Sequence, residues 1–198
     1  MSNIIFEKTP SIIHETCNGT MCYSIRDEML MHREIECIGE ITADAVNSLI
    51  SQIRYLARQD ENREITIYIN SPGGEVTSGL ALYDVMKAVK CPIRTVCIGM
   101  AASMGALLFA AGDRRDILTH GTVMIHDPLI PGGVGGSALK LQSISADLMH
   151  TREITGRILA ELTHHTLEEI YEKTAKSTQF YAEEAVAYGL ADRIITEL

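Results

Sequence analysis

The chain has 198 residues, 46% of them hydrophobic, which suits one domain with a substantial buried core. Its formal net charge of -9, with no basic stripe to offset it, argues against a nucleic-acid partner. No apolar run reaches the length of a membrane span, and residues 1–8 lack the basic and long apolar regions of a secretory signal, so the expected location is cytoplasmic.

Strand and helix patterns alternate along the chain. Residues 35–38 read as a short strand leading to Gly39-Glu40. Thr42 then stands as the N-cap of a helix over 43–58, with Val46, Leu49, Ile50, Ile53 and Leu56 on its apolar face. Residues 65–69 form a second strand that runs into Asn70-Ser71-Pro72-Gly73-Gly74. A helix over 78–89 follows, turning Leu80, Leu82, Val85, Met86 and Val89 mostly inward. A strand over 93–98 precedes Gly99-Met100-Ala101-Ala102-Ser103-Met104-Gly105, and residues 104–111 are good helix formers broken only by Gly105. Residues 122–125 are a further strand, ending in His126-Asp127-Pro128. Pro131 to Gly136 has the composition of a plain loop. The next helix is expected over 137–162, with Leu139, Ile144, Leu148, Ile154, Ile158 and Leu159 spaced for more than one partner surface. Strand, crossover helix and strand in succession predict an α/β domain with parallel pairing and chemistry at one strand edge. No linker or internal repeat divides it, so residues 1–198 are expected to form one domain.

Three of the strand ends carry complementary chemistry. Ser103 lies between small residues where a strand gives way to a helix, with the first helical N–H groups beside it. Serine is also a preferred N-cap, and on this segment alone that reading stands first. Gly73-Gly74 permits close backbone approach, and its N–H groups can donate to an oxygen that gains charge during acyl transfer. His126, at a strand end where a proline redirects the chain, is placed as a general base. A lone histidine is more often structural; three such motifs together point to one site. The five cysteines lack CxxC spacing, and Cys97 reads as a small core residue. Cys17 and Cys22 would close a short loop only if oxidised, which a reducing compartment opposes. His120, His164 and His165 fall at turns or helix ends, so no metal site is predicted.

The blocks 70–74, 99–105 and 124–128, with Glu183 to Asp192 near the C-terminus, resemble the signatures of ClpP, the proteolytic subunit of the ATP-dependent Clp protease. The resemblance spans about Tyr23 to Ile195, apart from small length changes either side of His126. It implies a ClpP/crotonase-like α/β fold of repeated strand-helix units, with a glycine-rich strand and projecting handle helix over about 131–162. It also implies a serine endopeptidase with Ser103 as nucleophile and His126 as general base. The oxyanion hole would be the N–H groups of Gly74 and Met104, and the peptide would lie along Gly73, Pro128, Gly132 and Gly133. The substrate would be a peptide or unfolded protein, and no cofactor is implied, because a separate Clp ATPase unfoldase uses the ATP. Relatives assemble as seven-membered rings, two of which interlock through the handle around an enclosed chamber. The first 22 residues depart from the family pattern. Thr66 and Ala88 stand where relatives usually carry aromatics, while Tyr68 and Ile98 keep apolar character, which implies weakened or altered docking of a standard ATPase.

The third triad member is the other departure. The family has an aspartate two residues before an aromatic; here Lys176-Ser177-Thr178-Gln179-Phe180 places Thr178 there. Counting back without gaps from Ala182 gives Ser177 instead, and residues 175–181 contain no carboxylate. Replacing the triad aspartate by a neutral group lowers kcat in a serine protease by about 10⁴, roughly 5 kcal/mol of barrier. Asp127 neighbours His126, but successive strand residues face opposite ways, so its side chain is not expected to substitute. Three states follow: a slow enzyme, an enzyme completed by a partner or rearrangement, or a silent structural subunit assembling with an active paralogue. A crotonase-like acyl-CoA enzyme is a third class of function, opposed by the Ser103 and His126 blocks.

Overall fold

The computed structural model describes residues 10–17 and 19–198. The reading of residues 1–8 concerns a segment outside them. In chain order the elements are β1 (Ser11–Thr16), β2 (Gly19–Ser24), α1 (Ile25–Met31), β3 (Glu34–Ile41), α2 (Ala43–Gln59), β4 (Ile65–Gly74), α3 (Val76–Ala88) and β5 (Ile93–Ala102). They continue as α4 (Met104–Ala110), β6 (Arg114–Leu118), β7 (Thr122–Ile125), α5 (Ala138–Thr163), α6 (Leu167–Thr174), β8 (Thr178–Tyr181), α7 (Ala182–Ala187) and β9 (Arg193–Ile195).

The repeated strand-helix pattern builds the expected parallel sheet, in the order β3-β4-β5-β6-β9. One edge of β5 is shared: Arg94–Cys97 pair with β6, and Met100–Ala102 pair with β7. The sequence did not announce two antiparallel pairings, β8 on β7 and the separate β1–β2 hairpin. β4 and β5 also run further than their apolar patterns, because a register shift between Ile69 and Ser71 lets the polar and small motif residues stay in the ladder.

Burial follows the predicted faces. Thr42 caps α2 by accepting from the Ala45 N–H, and Val46, Leu49, Ile53 and Leu56 are buried. Ile50 packs at the margin of the core, as do Leu80 and Val85 of α3 and its C-cap Val89, around the buried Leu82 and Met86. α4 is buried on every side, which explains its lack of any polar face. Its Leu107, Leu108 and Phe109 each stabilise the fold by about 1.5–3 kcal/mol through burial. At the opposite sheet edge from the motifs, the fully buried Asp116 pairs with Arg94 of β5 and Arg193 of β9, stapling three strand starts together.

α5 is the projecting helix. Only Gly156, Leu159 and Thr163 of it are buried, while Leu139 is 78% and Met149 56% exposed. The glycine-rich stretch before it, a plain loop by composition and a strand only by the resemblance, is irregular: it is exposed and pairs with no strand edge among the described residues. Gly132 and Gly133 hold positive φ of 81° and 82°, which takes them off a strand path.

Candidate active site

The sheet register sets the site. Ala102 pairs with Met124 across parallel strands β5 and β7, so Ser103 and His126 emerge side by side at adjacent C-terminal strand ends. The Ser103 N–H donates to the Met124 carbonyl at 2.8 Å, fixing the turn against β7. Ser103 occupies the N-cap position of α4, yet its side chain makes no capping hydrogen bond. The N-cap reading therefore holds for position and fails for chemistry. With φ 56° and ψ -121° the hydroxyl is carried away from the helix N–H groups. Such a conformation costs of order 1–3 kcal/mol in a residue with a Cβ, and strain of this kind clusters at functional sites.

Gly73-Gly74 lies directly over this turn. A Cβ on Gly73 would stand 2.6 Å from Ser103 Cβ, 2.7 Å from the Ala102 carbonyl oxygen and 3.1 Å from Met104 N. A Cβ on Gly74 would collide with the Ile41 backbone on the other side. The double glycine is thus required by close approach on both faces, as well as by the positive φ of 96° at Gly73. Ser71 Oγ accepts from the Gly73 N–H at 3.1 Å, and Asn70 Oδ1 accepts from the Met100 N–H at 3.1 Å. The first bond braces the glycine turn and the second ties it to the segment before the serine. Met104 opens α4, where the first N–H groups have no intrahelical acceptor.

His126 Nδ1 lies 2.6 Å from the carbonyl oxygen of Asp127. A carbonyl only accepts, so this contact asks Nδ1 to carry a proton, which in the neutral imidazole leaves the lone pair on Nε2. Thr178 is not the partner. Its Oγ1 donates to the Lys173 carbonyl at 2.8 Å, and in the β7–β8 register it pairs with Ile125 rather than with the histidine. Ser177 is exposed, at a positive φ of 51°. The Asp127 carboxylate lines the same cleft but is taken up by Thr174 and Arg152 rather than by His126. Its Oδ1 accepts from Thr174 Oγ1 at 2.6 Å and its Oδ2 faces Arg152 Nε at 2.9 Å.

Ser103, His126 and Pro128 line one cleft of 40 Å³, with an apolar wall from Val76, Leu107, Ile125 and Leu159. Gly132 and Gly133 lie outside it on the open loop. A second cleft of 160 Å³ between β3 and α2 contains none of the motif residues. Arg152, Thr174 and Tyr171, which also line the Ser103–His126 cleft, were not legible in the sequence. An arginine within a long amphipathic helix and a threonine ending a short one have no local pattern that distinguishes them from surface residues. Burial pushes the thiols of Cys37 and Cys97 up to about 11, which removes them as nucleophiles. Among the described residues no group of three His, Cys, Asp or Glu could hold a metal, and no helix is long and apolar enough to cross a membrane.

The family model described as Clp protease matches residues 17–198, a span that takes in the serine turn, the double glycine and the histidine strand. With that match over nearly the whole chain, and a fold to go with it, the protein belongs to the Clp protease family, a family of peptidases.

Proposed function

We propose that this chain is a serine-type endopeptidase subunit that cleaves peptides and unfolded proteins inside an oligomeric chamber in the cytoplasm. The observation that carries this reading is the juxtaposition of an uncapped, positive-φ Ser103 with a His126 whose Nδ1 is held by a carbonyl. Nε2 takes the Ser103 proton as the hydroxyl attacks a peptide carbonyl, and the N–H groups of Gly74 and Met104 receive the oxyanion. The Nδ1 partner is a neutral carbonyl, so the imidazolium gains less stabilisation than a carboxylate would give, and turnover is slow. The apolar wall of the cleft favours an apolar side chain beside the scissile bond. Members of the family typically form oligomeric rings, and the exposed Leu139, Leu141 and Met149 of α5 supply an apolar surface for a neighbouring copy. One ring or two stacked rings, with a Clp ATPase feeding the chamber, would complete the machine.

The alternative is a silent subunit that assembles with an active paralogue. Thr178, turned toward Lys173 rather than His126, favours it. Labelling of the purified protein by a serine-reactive fluorophosphonate, read by intact mass with Ser103→Ala as control, separates the two. Stoichiometric labelling that vanishes in the variant supports the enzyme. Absence of labelling in the wild type refutes it and leaves the structural subunit.

A further inference from the structure

We propose that Asp127 and Arg152 are positioning residues that hold the Asp127 carbonyl against His126 Nδ1, replacing through the backbone what a triad aspartate does with its side chain. The proposal rests on the peptidase reading for its meaning but on separate geometry for its support.

The carbonyl belongs to a residue fixed at three points. The Asp127 N–H donates to the Thr174 carbonyl at 3.1 Å, Oδ1 accepts from Thr174 Oγ1 at 2.6 Å, and Oδ2 meets the Arg152 guanidinium at 2.9 Å. The Arg152 Nε–H is not aligned for a hydrogen bond, so this last contact is an ion pair. Arg152 itself sits over the Tyr171 ring, its Cζ 3.6 Å from the centroid. Pro128 follows, and a residue before proline is confined to extended backbone, which limits where its carbonyl can point. Thus α5 and the α6 C-terminus clamp Asp127, and the one group left facing the imidazole is its carbonyl oxygen.

The arrangement explains how the base keeps its tautomer without a carboxylate at position 178. It also makes the histidine depend on α5, the helix that carries the exposed Leu139, Leu141 and Met149. Loss of the clamp lets the 127 peptide rotate, and the neutral imidazole relaxes toward its Nε2–H form, which is no longer a base for Ser103.

The test reads the tautomer directly. The full chain is prepared with 15N-imidazole histidine, and the His126 signals are assigned by their loss in His126→Gln. At mildly alkaline pH the wild type should show a protonated Nδ1 and a lone-pair Nε2. Arg152→Met and Asp127→Asn should shift the signals toward the Nε2–H tautomer and slow fluorophosphonate labelling by about 10²-fold, the usual cost of a misplaced catalytic group. Arg152→Lys should restore part of both. Thr174→Val, which deletes one hydroxyl, should shift the tautomer in the same direction even if the charge variants fold poorly. An Nε2–H tautomer in the wild type, or an unchanged Nδ1–H in Arg152→Met or Thr174→Val, overturns the proposal. A wild type that is not labelled but shows these tautomer shifts would defeat the peptidase reading and leave the clamp standing.

Discussion

Gly73 and Ser103 approach so closely that a Cβ on the glycine would stand 2.6 Å from the Cβ of the serine. The two residues are 30 apart in the chain and meet because β4 and β5 are adjacent parallel strands. Gly73→Ala must therefore push either the serine turn or the backbone at Ala102 and Met104. The expected result is a loss of about 10²-fold in labelling rate with the far-UV circular dichroism unchanged. Wild-type labelling would show that the turn can move without cost to the site.

Ser103 holds φ 56° without a capping bond, so the strain is a stability cost at the nucleophile. Ser103→Gly should be more stable than Ser103→Ala by about 1 kcal/mol or more, since glycine adopts this conformation freely. Both variants should be inactive. Urea denaturation of the pair decides it, and equal midpoints would mean the turn is unstrained.

Thr178→Asp would restore the family's carboxylate in sequence but not in contact. The side chain at 178 faces the Lys173 carbonyl, to which the threonine donates at 2.8 Å. An aspartate there loses that hydrogen bond and meets another acceptor, at a cost of about 1 kcal/mol. Peptidase or labelling rates should rise by no more than about tenfold, far short of the roughly 10⁴-fold value of a triad aspartate. A gain near that larger figure would place residue 178 against His126 in the working enzyme.

Asp116 gives the fold an acid-sensitive point far from the site. Burial alone would raise its carboxyl, but hydrogen bonds from Arg193 and Arg94, with their charges, outweigh this and hold it below the ordinary 3.8. A folded-state pKa below the unfolded value adds stability that is complete above the unfolded value and lost as pH falls through the folded one. Asp116→Asn should cost about 1–2 kcal/mol at neutral pH, because Arg94 loses its counter-charge while the exposed Arg193 stays solvated. It should also flatten the fall in stability on acidification. Urea midpoints measured from neutral to acid pH test both, and an unchanged acid slope would assign the sensitivity to other carboxylates.

Cysteine reactivity should divide by burial. Cys17 and Cys22 are exposed, whereas Cys37, Cys91 and Cys97 are buried with thiols raised mainly by desolvation. A thiol-reactive chromophore should titrate the first pair in the native protein and all five only after denaturation. Fast reaction at a third site would reveal local opening of the sheet.

The sequence by itself determined the motifs and the elements that carry them, though not α1, β6, α6, β8 or the β1–β2 hairpin. Helical spacing in 43–58, β-branched runs at 65–69 and 93–98, and glycines or serine at strand ends all report local constraints, which a linear pattern carries. Strand alternation also predicts that the Asp127 side chain does not serve His126, but β7 ends at Ile125, and it is the contact with Thr174 that takes up the carboxylate. Only the tertiary structure decided what touches the histidine. Thr174 lies 47 residues from Asp127, Arg152 sits on a different helix from Thr174, and Lys173 is close enough to Thr178 to capture its hydroxyl. A hydrogen bond depends on tenths of an ångström and on the direction of a carbonyl, and those are set by how α5, α6 and β8 pack around the end of β7.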